Sequence, residues 1–350
     1  MQSRPSNTTQ QDTPDPTRRR LLGHIAAGPL AVGVIASAAA TATAYASDPT
    51  TQPVVLITGC SSGFGYVTAL TLARSGFHVY ASMRDVGSQN ASAANALRRL
   101  TKDQRLQLDV IEIDIDEDES VDSGVRGVLD EAGRIDVVFN NAGINIPGPI
   151  ELSMDAARRS FETNVFGQLR MLRAIAPSMR QNRSGLFIQM SSGLGRLVQP
   201  TSGMYCATKF AQEAMFEAAA YELHPFGVEV AIIQPSDHQT RIKANSRRYF
   251  KQLMDGLDAS DKARARDYAE HVKITKATLE DSPAPDPQEV ADIVLKLAQT
   301  PAGQRPLRTA AMPPELAEGL NQLNATLEGV QAGLLQSSGM GDWLELSTNH

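Results

Sequence analysis

Val54-Val55-Leu56-Ile57-Thr58-Gly59-Cys60-Ser61-Ser62-Gly63-Phe64-Gly65 is the stretch on which the fold turns. Four consecutive apolar residues ending at a Thr-Gly pair fit a strand buried on both faces, as in a parallel sheet covered by helices. Gly59, Gly63 and Gly65 follow at once. Glycine at such a corner permits a tight turn, a close approach of backbone to a ligand and close packing of the next helix. The helix start behind the turn presents unpaired N–H groups, which suit an anion such as a pyrophosphate. Ser61 and Ser62 add hydroxyl donors.

Working outward, Val67, Leu70, Leu72 and Ala73 form the apolar side of a helix that Ser75-Gly76 stops. Strand-like runs at residues 77–83, 106–113, 135–139, 186–190 and 228–233 then alternate with helical patterns near 91–100, 120–132, 154–180 and 204–223. Alternation of this kind predicts an α/β, Rossmann-like fold: a doubly wound parallel sheet with helices on both faces and right-handed crossovers. One main domain is expected over residues 53–310. Residues 241–282 are charged, helical in pattern and without a strand, and a variable lid is expected over about 236–282. A helix near 287–299 and an edge strand near 305–310 complete the pattern. In the tail, 311–350, Leu316, Leu320, Leu323, Leu327 and Leu334 recur at helical spacing and are expected to pack.

Composition narrows the function. The chain has 350 residues, 33 Lys plus Arg against 39 Asp plus Glu, and a formal net charge of −6. That balance, with no long basic run, argues against nucleic acid as a partner. Two cysteines, Cys60 and Cys206, rule out a disulfide framework and are expected as separate buried thiols. The six histidines are scattered, so no metal site is expected. Residues 1–46 stand apart: Thr17-Arg18-Arg19-Arg20 precedes a weakly hydrophobic, alanine-rich stretch without Asp, Glu, Lys or Arg, and Ala44-Tyr45-Ala46 closes it. This resembles a twin-arginine export signal with a small–x–small cleavage site. A periplasmic or otherwise exported protein that meets a membrane only in transit is expected, with cytoplasmic residence as the alternative.

Several further motifs fall in order behind the glycine corner. Asn140-Asn141-Ala142-Gly143 ends the fourth strand, Asn164 lies in FETNVFG, Ser192 follows the fifth strand, and Tyr205-Cys206-Ala207-Thr208-Lys209 opens a helix. Together TGxxxGxG, NNAG, the serine 13 residues before the tyrosine, and YxxxK resemble the short-chain dehydrogenase/reductase family across about residues 53–310. The strings TGCSSGFG, YASMRD and YCATKFA are most similar to its steroid- and retinoid-type reductases.

Tyr205 and Lys209, four residues apart on a helix, share one face. A nearby ammonium favours the phenolate, so the pair suits proton transfer. Ser192 can donate to a substrate oxygen as charge develops there. The resemblance implies a Ser192–Tyr205–Lys209–Asn164 tetrad, with Asn164 orienting a water that links Lys209 to solvent. It also implies a nicotinamide dinucleotide held by Gly59, Ser61, Ser62, Gly63, Phe64 and Gly65. Asn141, Ala142 and Gly143, then Tyr205 and Lys209, then Pro235, Ser236 and Thr240 are expected along the rest of the cofactor, with Asp114 and Ile115 at the adenine. Met83-Arg84 ends the second strand where NAD enzymes usually carry an acid, so Arg84 is expected at a 2′-phosphate: NADP, with NAD possible. After the sixth strand the family's PGxxxT is here Pro235-Ser236-Asp237-His238-Gln239-Thr240, and His238 is expected as an exposed loop residue or a substrate contact. The implied function is interconversion of a carbonyl and a secondary alcohol on a small hydrophobic molecule, by a homo-oligomer paired through the helices near 154–180 and 204–223. The alternatives are a dinucleotide-binding sensor without turnover and a nucleotide-sugar epimerase or dehydratase, which usually carries GxxGxxG.

Overall fold

The computed structural model describes residues 52–343. The expected export segment, 1–46, and the end of the tail lie outside them. Seven strands form one sheet in the order β3-β2-β1-β4-β5-β6-β7, and every neighbouring pair is parallel. They are β1 (Val54–Ile57), β2 (His78–Met83), β3 (Leu108–Glu112), β4 (Val137–Asn140), β5 (Gly185–Met190), β6 (Val228–Pro235) and β7 (Arg308–Ala311). Strand order reverses between β1 and β4, and the crevice beyond their carboxyl ends is where such sheets place ligands.

Period-two alternation splits the core into two layers. Val55 and Ile57 of β1 face a cluster with Leu72 of α1 (Gly63–Arg74), Leu97 of α2 (Ala91–Gln104) and Val294 near the C-terminal end of the domain. Val54 and Leu56 face the other side, with Val125 of α3 (Asp118–Ala132), Ile175 and Phe216. All four β1 side chains are buried, as the uninterrupted apolar run requires.

Two regions depart from the sequence expectations. The single helix expected over 154–180 is three pieces: α4 (Met154–Phe161), a π-helical turn (Glu162–Phe166) and α5 (Gly167–Asn182). Hydrophobic periodicity carries no mark of a π turn, which is commonly found at functional sites. After α6 (Gly203–Leu223) and β6, the segment expected as a lid is helical and without a strand, as its pattern predicts: α7 (Ile242–Gly256), α8 (Ala259–Asp267) and α9 (Ala269–Thr278). The chain then forms α10 (Gln288–Gln299), β7 at the sheet edge and α11 (Pro314–Ser337). The leucine stripe of α11 packs only in part. Leu320 is buried and Leu323 half-buried, whereas Leu316, Leu327 and Leu334 are exposed, because the domain covers only part of that face.

Candidate active site

The crevice is built from the β1 corner outward. Thr58 ties the ends of β1 and β4 together: its Oγ1 accepts from the backbone N–H of Asn141 and of Ala142, both at 2.9 Å. Asn141 answers by donating its side-chain amide to the Thr58 carbonyl at 2.8 Å. Gly59 sits at φ +73°, and a Cβ there would lie 2.9 Å from the Ala142 Cα. A Cβ on Gly65 would meet the Gly59 carbonyl oxygen at 2.7 Å. The corner therefore demands glycine twice, once for its backbone angle and once for space.

Two connected compartments open from this corner, sharing Gly59, Ser61, Ser62, Ala142 and Gly143 in their walls. The inner one, about 210 Å³, also brings together Gly63, Phe64, Asn141, Pro235, Ser236 and Thr240. Ser192, Tyr205 and Lys209 line that same compartment. The outer one, about 390 Å³, holds Arg84, Asp114 and Ile115. Glycine corner, helix start and paired compartments fit an extended dinucleotide, with its pyrophosphate at the corner and its two ends in the two compartments.

Asn164 does not line either compartment. Its fully buried side chain accepts from Ile144 N at 2.8 Å and donates to Ile144 O at 2.8 Å and Thr208 Oγ1 at 3.0 Å. It pins the segment after β4 to the helix that carries Tyr205 and Lys209. Gly65 likewise stands behind the cleft and acts by being small.

Burial dominates the electrostatics. It pushes the Tyr205 phenol up to about 12, a rise that a hydrogen bond with the Ser192 side chain only partly opposes. Burial also pulls Lys209 down to about 7, against the attraction of the Glu213 carboxylate. The Lys209 Nζ lies 5.6 Å from the centre of the Tyr205 ring. It donates to the Met190 carbonyl at 2.9 Å and to Gln212 Oε1 at 3.0 Å. Desolvation is the largest influence on the phenol in this cleft. The Ser192 Oγ accepts from Leu194 N at 3.1 Å, which leaves its own proton to be donated.

His238 is not the exposed loop residue of the first expectation, and it lines the inner compartment, as the second expectation, a substrate contact, requires. It is buried, with Nδ1 3.1 Å from the Ser236 carbonyl, Nε2 3.2 Å from a Glu289 carboxylate oxygen, and its ring edge-on to Phe64. Glu289 is 51 residues away in sequence, so no local pattern announces the contact. The cysteines are separate and buried, and burial raises the Cys60 thiol well above its ordinary range.

Sequence reasoning missed what the start of α7 contributes. Arg241, Asn245 and Arg248 line the outer compartment, and Arg241 and Asn245 also line the inner one. Their spacing of four and then three places them on one helical face, a signal that was present in the charged segment. Arg84 also has more company than expected. Its guanidinium is 3.7 Å from Asp85 and 3.9 Å from both Asp114 and Asp116.

Comparison with known proteins accords with this geometry. The family model described as short chain dehydrogenase matches residues 53–249. Human 17-beta-hydroxysteroid dehydrogenase type 1 is 34% identical over 71% of this chain and 75% of its own length. The 3-ketodihydrosphingosine reductase of Bacteroides thetaiotaomicron is 38% identical over 55% of this chain and 67% of its own, and bovine retinol dehydrogenase 8 is 37% identical over 52% and 57%. A crystal structure of a short-chain dehydrogenase from Streptomyces avermitilis superposes with a TM-score of 0.62 at 28% identity, over 83% of this chain and 98% of that one. The chain belongs to the short-chain dehydrogenase family and is an NAD(P)-dependent oxidoreductase acting on CH–OH and C=O groups.

Proposed function

We propose that the protein interconverts a secondary alcohol and a carbonyl on a small hydrophobic molecule, using NADP(H) in preference to NAD(H). The observation that carries this reading is the meeting of Ser192, Tyr205 and Lys209 with the glycine corner in one cleft. The bound dinucleotide supplies or accepts the hydride. In reduction, Tyr205 gives its hydroxyl proton to the substrate oxygen; in oxidation it takes that proton back. Ser192 donates to the same oxygen and steadies the charge that develops on it. Lys209 has three N–H donors, two of which are engaged by Met190 and Gln212, leaving one for a ribose hydroxyl. Asn164 positions the helix that carries both residues.

The NADP preference rests on Arg84, with Arg241 and Arg248 in the walls of the same compartment. A 2′-phosphate rewards forked guanidinium donors. Asp114 and Asp116 oppose it, and the preference is the outcome of that competition. The hydrophobic substrate draws support from relatives named for steroid, retinol and 3-ketodihydrosphingosine. Ile150, Leu197 and Val198, in the segments that follow the NNAG motif and Ser192, are exposed apolar side chains. Exposed Phe166 and Phe210 support pairing of two copies through the helices beside the site. Export through residues 1–46 belongs to the same reading, since a twin-arginine route would carry the chain folded with its cofactor loaded.

The test is a turnover screen over steroids, retinoids, aliphatic ketones and sugars with each dinucleotide. Turnover of a hydrophobic ketone or alcohol, with the higher kcat/KM for NADP(H), is expected. Dinucleotide binding with no turnover on any compound overturns it in favour of a sensor. Consumption of a sugar nucleotide alone overturns it in favour of an epimerase or dehydratase.

A further inference from the structure

Glu213 is a buried charge with no part of its own in the hydride and proton transfers. It lies on α6 one turn beyond Lys209 and is 1% exposed. Both of its oxygens are held: Gln234 of β6 donates to Oε1 at 2.9 Å, and Arg308 of β7 donates to Oε2 at 2.9 Å. Arg196, at the end of the turn that follows Ser192, brings its guanidinium to 3.6 Å from Oε2 and 3.4 Å from a Glu217 carboxylate oxygen. The same turn rests on the Glu213 side chain. A Cβ on Gly195 would lie 2.9 Å from the Glu213 Cγ and 2.7 Å from the Ser191 Oγ. Among the described residues the buried Ser191 Oγ has no hydrogen-bond partner, so it does not tie the turn to α6. Arg196 and the close packing on Glu213 do.

The charges around Glu213 leave it free to serve a further cation. Arg196 and Arg308 are each shared with Glu217, and Arg308 also stands 3.7 Å from Glu328 of α11. Glu213, Glu217 and Glu328 thus face Arg196, Arg308 and Lys209, three of each sign. Two carboxylates answer the two guanidiniums, and one is left for the ammonium a turn away. Burial opposes the charged form of Lys209, and the attraction of Glu213 works against that opposition. We propose that Glu213 is a positioning residue of the reaction: its carboxylate fixes the turn that begins at Ser192 against the helix that carries Tyr205 and Lys209, and it is the buried counter-charge of the Lys209 ammonium. The inference rests on the roles proposed for Ser192, Tyr205 and Lys209. Ser192 and Tyr205 must reach one substrate oxygen together, and a displacement of about 1 Å can cost on the order of 100-fold in rate. Lys209 in turn needs its charge to favour the phenolate.

The experiment has two readouts. The first needs neither turnover nor cofactor: the Lys209 side-chain carbon resonance is titrated in the wild type, in Glu213→Gln and in Glu213→Asp. Glu213→Gln keeps the shape and loses the charge, so Lys209 should titrate at lower pH than in the wild type. Glu213→Asp keeps the charge and should hold the titration near the wild-type value. An unchanged titration in Glu213→Gln, or an equal shift in both variants, overturns the counter-charge. The second readout is kcat on a ketone from the turnover screen. Arg196→Met should lower kcat by about 10–100-fold with dinucleotide affinity nearly unchanged. Adding Glu213→Gln to it should cost less than the two separate losses combined, because both act through one contact. A wild-type kcat in Arg196→Met, or fully additive losses, overturns the positioning role, and Arg196→Met decides the matter where Glu213→Gln does not fold. Failure of the underlying reading looks different: Tyr205→Phe would keep its turnover.

Discussion

Replacing Lys209 with methionine turns the strongest electrostatic feature of the cleft into a stability measurement. Lys209 is 4% exposed, and burial moves its titration from 10.5 to about 7. Because a cationic group is depressed in the folded state, the unfolded chain binds more protons between those two values. Stability therefore rises with pH across that window, and the penalty is fully present below about pH 7. At about 1.4 kcal/mol per unit the whole span is on the order of 5 kcal/mol, of which raising the pH from about 6 to about 9 recovers roughly 3 kcal/mol. Lys209→Met removes the titration. It also strands two acceptors, the Met190 carbonyl and Gln212 Oε1, at a cost of about 1–3 kcal/mol each that does not depend on pH. Urea unfolding of both cofactor-free proteins across that pH range reads the difference directly. The wild type should gain on the variant by roughly 3 kcal/mol as pH rises. A gap that stays constant within about 1 kcal/mol would refute the assignment of a strongly desolvated ammonium at this position.

Other outcomes follow from single contacts. Arg84→Ala should lower kcat/KM for NADP(H) by about 10–100-fold while changing NAD(H) little, since one charge-assisted pair with the 2′-phosphate is removed; equal losses for both dinucleotides would contradict the role. Gly65→Val should abolish dinucleotide binding, measured by fluorescence titration, because even a Cβ would sit 2.7 Å from the Gly59 carbonyl oxygen. Arg308→Met should cost about 3–5 kcal/mol in urea unfolding by leaving the Glu213 carboxylate, 1% exposed, without its closest cation, and adding Glu213→Gln should restore part of that loss. In the native host, replacing Arg18 and Arg19 by lysine should retain the full-length precursor in the cytoplasm, and an unchanged mature N-terminus would end the export reading.

What the sequence made legible was the chemistry that is local. The run Val54–Ile57 with its three glycines, NNAG at the end of β4, and Tyr205 with Lys209 one helical turn apart each announce themselves within a dozen residues, and the fold brings them to one crevice. Contacts between distant segments stayed hidden. His238 was misjudged because Phe64 and Glu289, which bury it, are far away in sequence. The Arg308–Glu213 pair joins residues 95 apart. The contact of the Gln212 amide with the Asn164 carbonyl, 48 residues away, likewise depends on the π-helical turn. The leucines of α11 show the opposite limit: helical spacing identified the stripe but not how little of it the domain covers.

The central claim is that hydride and proton are exchanged in the cleft between the glycine corner and Tyr205. The most direct test follows the label. A ketone substrate from the screen is reduced with dinucleotide carrying deuterium at the transferable position, and the product is examined by mass spectrometry for the wild type and for Tyr205→Phe. One deuterium at the carbinol carbon of the wild-type product is expected, with turnover lower by several orders of magnitude in Tyr205→Phe and dinucleotide affinity nearly unchanged. Unlabelled product, or label transfer by Tyr205→Phe at the wild-type rate, would contradict the account.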